Sequence, residues 1–307
     1  MKLPPTVHKP PFSITRASHV VHRVKDLAAS REFYVDLLGL VVSDETPATL
    51  WLRGLEEGCH HSLVLRSGDP ACERVGMRVH TEEDLERAKF HFEKAGFPAD
   101  WVEVEHQGRT FQTTDPAGTQ LEFCATMETR PRLFHHVEAY HGAAVQRLDH
   151  MQILTPKVKE SLEFYCAMGF RLSEYVVAPD SEEPVFVFLQ RKGNPHDIVF
   201  ADGQGPRLHH VAYTVPETQS LMLTADLFVR AGRADQVEFG PARHFSPGLA
   251  RFLYVRDPDG HRVELFPTHY QTMDIEDEPI RWQAPDFQIG GWQTPPERWF
   301  KEASPFG

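Results

Sequence analysis

Apolar and polar residues alternate along this chain with two distinct periods, and the periods recur in a fixed order. The segments RLDHMQIL (from Arg147), RLHHVAYT (from Arg207) and RVELF (from Arg262) alternate with period two, which predicts half-buried strands. The segment EEDLERAKFHFEKAGF instead places Leu85, Ala88, Phe92 and Ala95 near helical spacing and predicts an amphipathic helix.

The same order of elements appears twice. HRVKDLAASREFYVDLLGLVVSDE (from His22) and LTPKVKESLEFYCAMGFRLSEY (from Leu154) share one plan: strand, helix closing on Phe-Tyr, a glycine turn and a further strand. Gly39 and Gly169 fall where a helix C-terminus favours positive φ. Downstream, HHSLVLRSG matches PHDIVFADG, and FQTTDPAGTQLEFC matches FLYVRDPDGHRVELF, each of the last two joining its strands through Asp-Pro-x-Gly. The expected fold is α+β, with tandem βαβββ modules building two halves, each a curved mixed sheet enclosing a funnel. The expected boundaries are 1–144, 145–268 and a tail or lid over 269–307. That tail is rich in proline, acid and tryptophan; Trp282, Trp292 and Trp299 favour packing over disorder.

Composition narrows the function classes. The 307 residues suffice for two cores. A net charge of -12 with scattered Lys and Arg argues against nucleic acid and anionic membranes as partners. No segment approaches the apolar run of about 18 residues that a membrane helix needs, and the N-terminal residues lack an apolar signal region, so a soluble cytoplasmic protein is expected. The cysteines, Cys59, Cys72, Cys124 and Cys166, form no CxxC pair and are expected to be reduced. The 18 histidines are the compositional oddity, several as doublets.

In the second half, three predicted strands each offer one ligand-type side chain to a shared interior: His150, His210 and Glu264. Two imidazoles and a carboxylate on one face of a divalent metal leave the opposite positions open, the donor set of non-haem Fe(II) sites that handle O2; Mn(II) is compatible. The first half carries His19, Val75 (or, with a one-residue slip, Arg74 or Gly76) and Glu122 at these positions. None of those middle residues ligates such a metal, so the first half is expected to be a metal-free structural copy. His61 stands where the second half has His196.

Taken together, LAASREFYVDLLGL, RLDH, GPRLHHVA, GPARH and YVRDPDGHRVELF resemble the vicinal oxygen chelate superfamily, and within it the two-domain extradiol catechol dioxygenases of homoprotocatechuate 2,3-dioxygenase type. The resemblance runs over nearly the whole chain. It implies metal ligands at His150, His210 and Glu264, an acid/base histidine at His196, a hydrogen-bonding tyrosine at Tyr254, and a further pocket histidine at His244. His209 becomes a support for His210. The implied reaction is extradiol ring cleavage of a catechol by O2, giving a product of hydroxymuconic-semialdehyde type. The implied assembly is a homo-oligomer, a tetramer by analogy.

Departures from the family pattern concern the substrate. Phe239 and Ile289, with Gly290, stand where the resemblance implies arginines for a substrate carboxylate; Phe188 replaces a tryptophan and Gln152 an asparagine. A carboxylate facing Phe and Ile is desolvated without charge-assisted partners, so the expected substrate is a catechol with a neutral or apolar substituent. The alternatives are a homoprotocatechuate 2,3-dioxygenase proper, a glyoxalase-like metal enzyme, or a metal-free binding protein of the same superfamily.

Overall fold

The computed structural model describes residues 2–179, 181–246 and 248–307. Among the described residues, the period-two segments form strands grouped in four βαβββ units. The first half contains β1 (Ile14–Val24), α1 (Leu27–Arg31), β2 (Val41–Thr46), β3 (Thr49–Arg53) and β4 (Leu63–Ser67), then β5 (Ala71–Val79), α2 (Glu82–Lys94), β6 (Ala99–Val102), β7 (Thr110–Thr114) and β8 (Gln120–Cys124). The second half repeats the plan with β9 (Arg147–Leu154), α3 (Val158–Ala167), β10 (Arg171–Val177), β11 (Pro184–Gln190) and β12 (Ile198–Ala201), then β13 (Arg207–Thr214), α4 (Thr218–Arg230), β14 (Val237–Arg243), β15 (Arg251–Arg256) and β16 (Arg262–Phe266).

Strand order is the same in both halves: β2-β3-β4-β1-β5-β8-β7-β6 in one sheet and β10-β11-β12-β9-β13-β16-β15-β14 in the other. Each half pairs the first strands of its two units antiparallel at the centre, β1 with β5 and β9 with β13. Parallel partners flank them, so each sheet is mixed.

Thr81 caps α2, its hydroxyl accepting the Asp84 N–H at 3.0 Å, and Leu85, Ala88 and Phe92 are buried. Ala95 departs from the predicted stripe: it is the exposed C-cap, because the helix ends one residue earlier. Gly39 and Gly169 adopt φ of +76° and +92° as the turns require. After α1 the chain runs on as a π-helical stretch, Glu32–Leu37, that buries Phe33 and Tyr34.

The Phe-Tyr and Asp-Pro-x-Gly motifs tie one half to the other. Tyr34 donates to Asp257 at 3.1 Å, and Tyr165 donates to Asp115 at 3.2 Å. One continuous apolar core runs beneath both sheets. The tail is laid over the body. Its strand β17 (Ile280–Gln283) adds to β10, α5 (Glu297–Lys301) buries Trp299, and β18 (Ser304–Pro305) pairs with the start of β13. Trp292 stays exposed. All four cysteines are free, and no helix of the described residues is long and apolar enough to cross a membrane.

Candidate metal centre

Strand pairing brings the three predicted ligands together. Ala212 of β13 pairs with His150 on β9 and with Glu264 on β16, so a small side chain separates the two larger ones across three adjacent strands. His210 lies two residues before Ala212 and therefore on the same face. Its Nε2 is 3.1 Å from Glu264 Oε2 and 3.4 Å from His150 Nε2, while His150 Nε2 is 3.2 Å from the same Glu264 oxygen. All three are buried.

Neighbouring groups fix which ring nitrogen carries each proton. His209 Nε2 is 2.7 Å from the carbonyl oxygen of Trp299, which can only accept, so that nitrogen carries hydrogen. Burial, helped by the Arg262 guanidinium, pushes the His209 pKa well down and keeps the ring neutral. Its Nδ1 then accepts from His210 Nδ1–H at 2.7 Å, leaving a lone pair on His210 Nε2. In the same way His150 Nδ1–H donates to Asp149 at 3.0 Å, and Asn194 donates to that carboxylate at 2.9 Å.

Two imidazole Nε2 atoms and a carboxylate oxygen thus converge within hydrogen-bond distance, each ring's Nδ1 proton being engaged elsewhere. Burial alone would raise the Glu264 pKa, but the imidazoles of His150, His210 and His244 around it hold it well below the usual carboxylate range. Burial lowers the pKa of His150, and Asp149 with Glu264 more than restores it. A field that favours an extra proton at this point also favours a divalent cation, so the donor set fits the metal that the sequence implies.

The pocket around the ligands has a polar floor and apolar walls. The His196 ring lies 4.2 Å from that of His150 and 4.8 Å from that of His269, and its Nδ1 has no hydrogen-bond partner among the described residues. Burial, with His150 and His269 nearby, holds its pKa well down. Tyr254 pairs with Glu264 across β15 and β16, and its hydroxyl is 3.4 Å from His244 Nε2. Burial and the Glu264 charge push the Tyr254 pKa well up, so the phenol keeps its proton. His244 bonds through Nδ1 to the Ile289 carbonyl.

Phe186, Phe188, Val199, Phe287, Ile289 and Trp299 form the walls, and the buried Gln152 also lines the pocket. Phe239 is placed differently from the sequence expectation. It does not line the pocket but lies behind Tyr254, stacked on it at 6.0 Å, and packs against Phe252 and Trp299. Sequence reasoning also missed His269, whose ring stacks on Phe266 at 4.2 Å and whose Nδ1 is 3.7 Å from Asp149. Burial lowers its pKa to about 4. No periodic run flags this residue, because it sits just beyond the last strand of the repeat.

The equivalent place in the first half is occupied differently. Register assigns Arg74, not Val75, to the position of His210, since Gly76 pairs with both His19 and Glu122 as Ala212 pairs with both His150 and Glu264. Val75 is buried on the opposite face. His19 Nε2 is bonded to Glu122 at 2.9 Å, and Gln107 and Gln112 donate to that carboxylate at 2.9 and 2.8 Å. Gly76 is required there, because a Cβ would sit 2.1 Å from the His19 ring.

Comparison with known proteins agrees with this geometry. The family model described as the Glyoxalase/Bleomycin resistance protein/Dioxygenase superfamily matches residues 16–123 and 147–265. A manganese-dependent 2,3-dihydroxybiphenyl 1,2-dioxygenase from Geobacillus genomosp. 3 is 30% identical over 90% of this chain and 92% of its own length. The chain belongs to this superfamily and, within it, to the extradiol dioxygenases. A metapyrocatechase from Geobacillus stearothermophilus is 26% identical over 97% of this chain and 95% of its own length. Among solved structures, the homoprotocatechuate 2,3-dioxygenase of Brevibacterium fuscum, complexed with 3,4-dihydroxyphenylacetate, superposes with a TM-score of 0.93 at 34% identity, covering 98% of this chain and 95% of that one. The Arthrobacter globiformis enzyme of the same name gives 0.93 at 34% identity, covering 99% and 96%.

Proposed function

We propose that this extradiol dioxygenase opens the ring of a catechol with O2 at a divalent ion, Fe(II) or Mn(II), held by His150, His210 and Glu264. The observation that carries the reading is the convergence of two imidazole nitrogens and a carboxylate oxygen, all buried, within hydrogen-bond distance of one another. When bound, the ion supplies Lewis acidity and one coordination sphere for both reactants, which removes the entropy of their encounter.

The chain's own residues do the rest. His196, neutral and with an unpartnered Nδ1, takes a proton from a catechol hydroxyl and later returns it. Tyr254 keeps its proton and donates a hydrogen bond toward the oxygen side of the pocket. His244 orients Tyr254 and is itself held by the Ile289 carbonyl. Phe186, Phe188 and Phe287 exclude water from the reacting atoms.

No lysine or arginine lines this pocket among the described residues. A substrate carboxylate would be desolvated there without a charged partner, which favours an alkyl-, nitro- or hydroxyl-bearing catechol over homoprotocatechuate. The division into 1–144, 145–268 and 269–307 follows the same reading, the last segment supplying Phe287, Ile289 and Trp299 to the pocket wall. Iron as the resident metal, a cytoplasmic setting, a role in aromatic hydrocarbon catabolism and a homotetramer complete the proposal.

The test is O2 uptake and product absorbance for Fe(II)-loaded protein with catechol, 4-methylcatechol, a hydroxylated methylcatechol and homoprotocatechuate. A yellow ring-opened product from the neutral catechols is expected. One tightly bound metal per chain without O2 uptake on any catechol would overturn the ring-cleavage reading and favour another metal-dependent reaction of the superfamily.

A further inference from the structure

We propose, on the reading of His196 as the proton-transferring group, that Asn194 is a positioning residue, a clasp that holds His196 at a fixed distance from the strand of the ligand His150. The buried side-chain amide of Asn194 donates to Asp149 Oδ2 at 2.9 Å and to the backbone carbonyl of His196 at 2.7 Å. Asp149 adjoins His150 and accepts its Nδ1–H at 3.0 Å. One amide therefore ties the carboxylate that orients a ligand to the backbone that carries His196.

A carboxylate and a carbonyl can only accept, so both amide hydrogens are committed and the orientation of the amide is fixed. Its Oδ1 points elsewhere, buried and without a hydrogen-bond partner among the described residues. A buried oxygen left unpaired is unfavourable, and a smaller side chain would avoid it. The two donated bonds offset that cost. Lys192 runs alongside as a second arm, bonding through Nζ to the Asp149 carbonyl and, at 2.7 Å, to Asp197 Oδ1. Asp197 also accepts the Ala17 N–H of the first half at 3.2 Å and the Arg191 N–H at 2.6 Å. Lys192 and Asp197 anchor the loop, and Asn194 is the arm that reaches His196 itself.

The first half supplies the contrast. Val20 pairs with Leu63 as Met151 pairs with Ile198, so His61 answers His196, Cys59 answers Asn194 and Ser18 answers Asp149. Cys59 keeps one arm only: its thiol donates to the His61 carbonyl at 3.6 Å, and no bond joins it to Ser18 among the described residues. The two-armed amide belongs to the half that gathers the ligands. Proton transfer needs His196 within hydrogen-bond reach of a catechol hydroxyl. Its ring meets the His150 ring at 4.2 Å and 72°, and no hydrogen bond fixes its Nδ1 edge, so the grip on the His196 carbonyl helps to set where the ring sits. Displacement by about 1 Å costs up to about 10²-fold in rate.

Amide hydrogen exchange and a double-variant cycle on the Fe(II)-loaded chain test the clasp, with N194A, H196N and N194A/H196N. N194C, whose side chain the first half accommodates at this place, stands in if N194A does not fold. In N194A, exchange across residues 190–198 is expected to quicken about tenfold or more, while the matching loop at 55–63 keeps its rate. Metal content should stay at one ion per chain and KM for 4-methylcatechol within about threefold of wild type, with kcat about 10–100-fold lower. Adding N194A to H196N should cost nothing more, because the clasp acts through that ring. Unchanged exchange or wild-type kcat in N194A overturns the proposal, as does a double variant whose losses multiply. Wild-type turnover in H196N would instead remove the acid/base reading, while the exchange rates still decide whether Asn194 holds the loop.

Discussion

The hydroxyl of Tyr165 donates to Asp115 at 3.2 Å across the boundary between the halves, and Tyr34 makes the mirrored bond to Asp257 at 3.1 Å. All four residues are buried, and each aspartate also holds its own Asp-Pro-x-Gly turn through backbone N–H groups. Removing either hydroxyl leaves a buried carboxylate oxygen with one partner fewer. Tyr165→Phe and Tyr34→Phe should each cost about 1–3 kcal/mol in chemical denaturation. Wild-type stability in both would mean that these bonds do not hold the halves together.

His196 is proposed to move a proton without binding the metal. His196→Asn should keep one metal per chain and lower kcat by roughly 10²–10⁴-fold. His150→Ala, His210→Ala and Glu264→Gln should lose the metal as well as activity. Metal analysis beside steady-state kinetics distinguishes the two classes, and loss of metal in His196→Asn would make His196 structural.

The proton chain from Trp299 through His209 sets the metal-binding face of His210. His209→Phe removes the acceptor for His210 Nδ1–H while filling similar space. Metal affinity should fall about 10–100-fold, the usual cost of losing such an orienting partner. Competition with a chelator measures it, and an unchanged affinity would show that His210 needs no support.

Substrate ranking follows from the apolar wall. The kcat/KM for 4-methylcatechol should exceed that for homoprotocatechuate, and Ile289→Arg should narrow or invert the ratio by supplying the missing cation. Better turnover of homoprotocatechuate by the unaltered chain would remove the specificity reading.

His22 offers a test by pH. It is buried against His261, the rings stacked at 4.0 Å, and burial followed by the His261 charge holds its pKa well below the ordinary value. Above about pH 6.5 the ring is neutral in folded and unfolded chains alike. Below that, the unfolded chain takes up a proton that the folded chain refuses, so stability falls as pH falls. The His22 contribution is up to about 1.4 kcal/mol per pH unit. His22→Phe keeps the stack and should flatten the slope of unfolding free energy between pH 6.5 and 5. An unaltered slope would place the acid sensitivity elsewhere.

The repeat was legible because strand alternation, the Phe-Tyr helix ends and the Asp-Pro-x-Gly turns each reflect a strict backbone requirement. His150, His210 and Glu264 were legible for the same reason, since period two alone puts them on one face. Where registers slip, the reading blurs. Bulges between Ala17 and His19 and between Val21 and His22 are why the sequence left Val75, Arg74 and Gly76 open as the counterpart of His210. Phe239 was misplaced because its strand carries two register shifts, which set it behind the pocket wall. His269 sits in a loop beyond β16, where no local period encodes its approach to the ligands.

The carboxylates Glu122 and Glu264 hold matching positions in two halves with one strand order, yet one is met by glutamine amides and the other by imidazole lone pairs. In evolutionary terms, a duplicated fold of this kind can silence one copy of a site without moving its backbone. It need only surround the abandoned carboxylate with enough hydrogen-bond donors, here His19, Gln107 and Gln112, to take over the charge balance that a cation supplies. The silent copy is then free to serve as a wall, a brace or a site of a different kind.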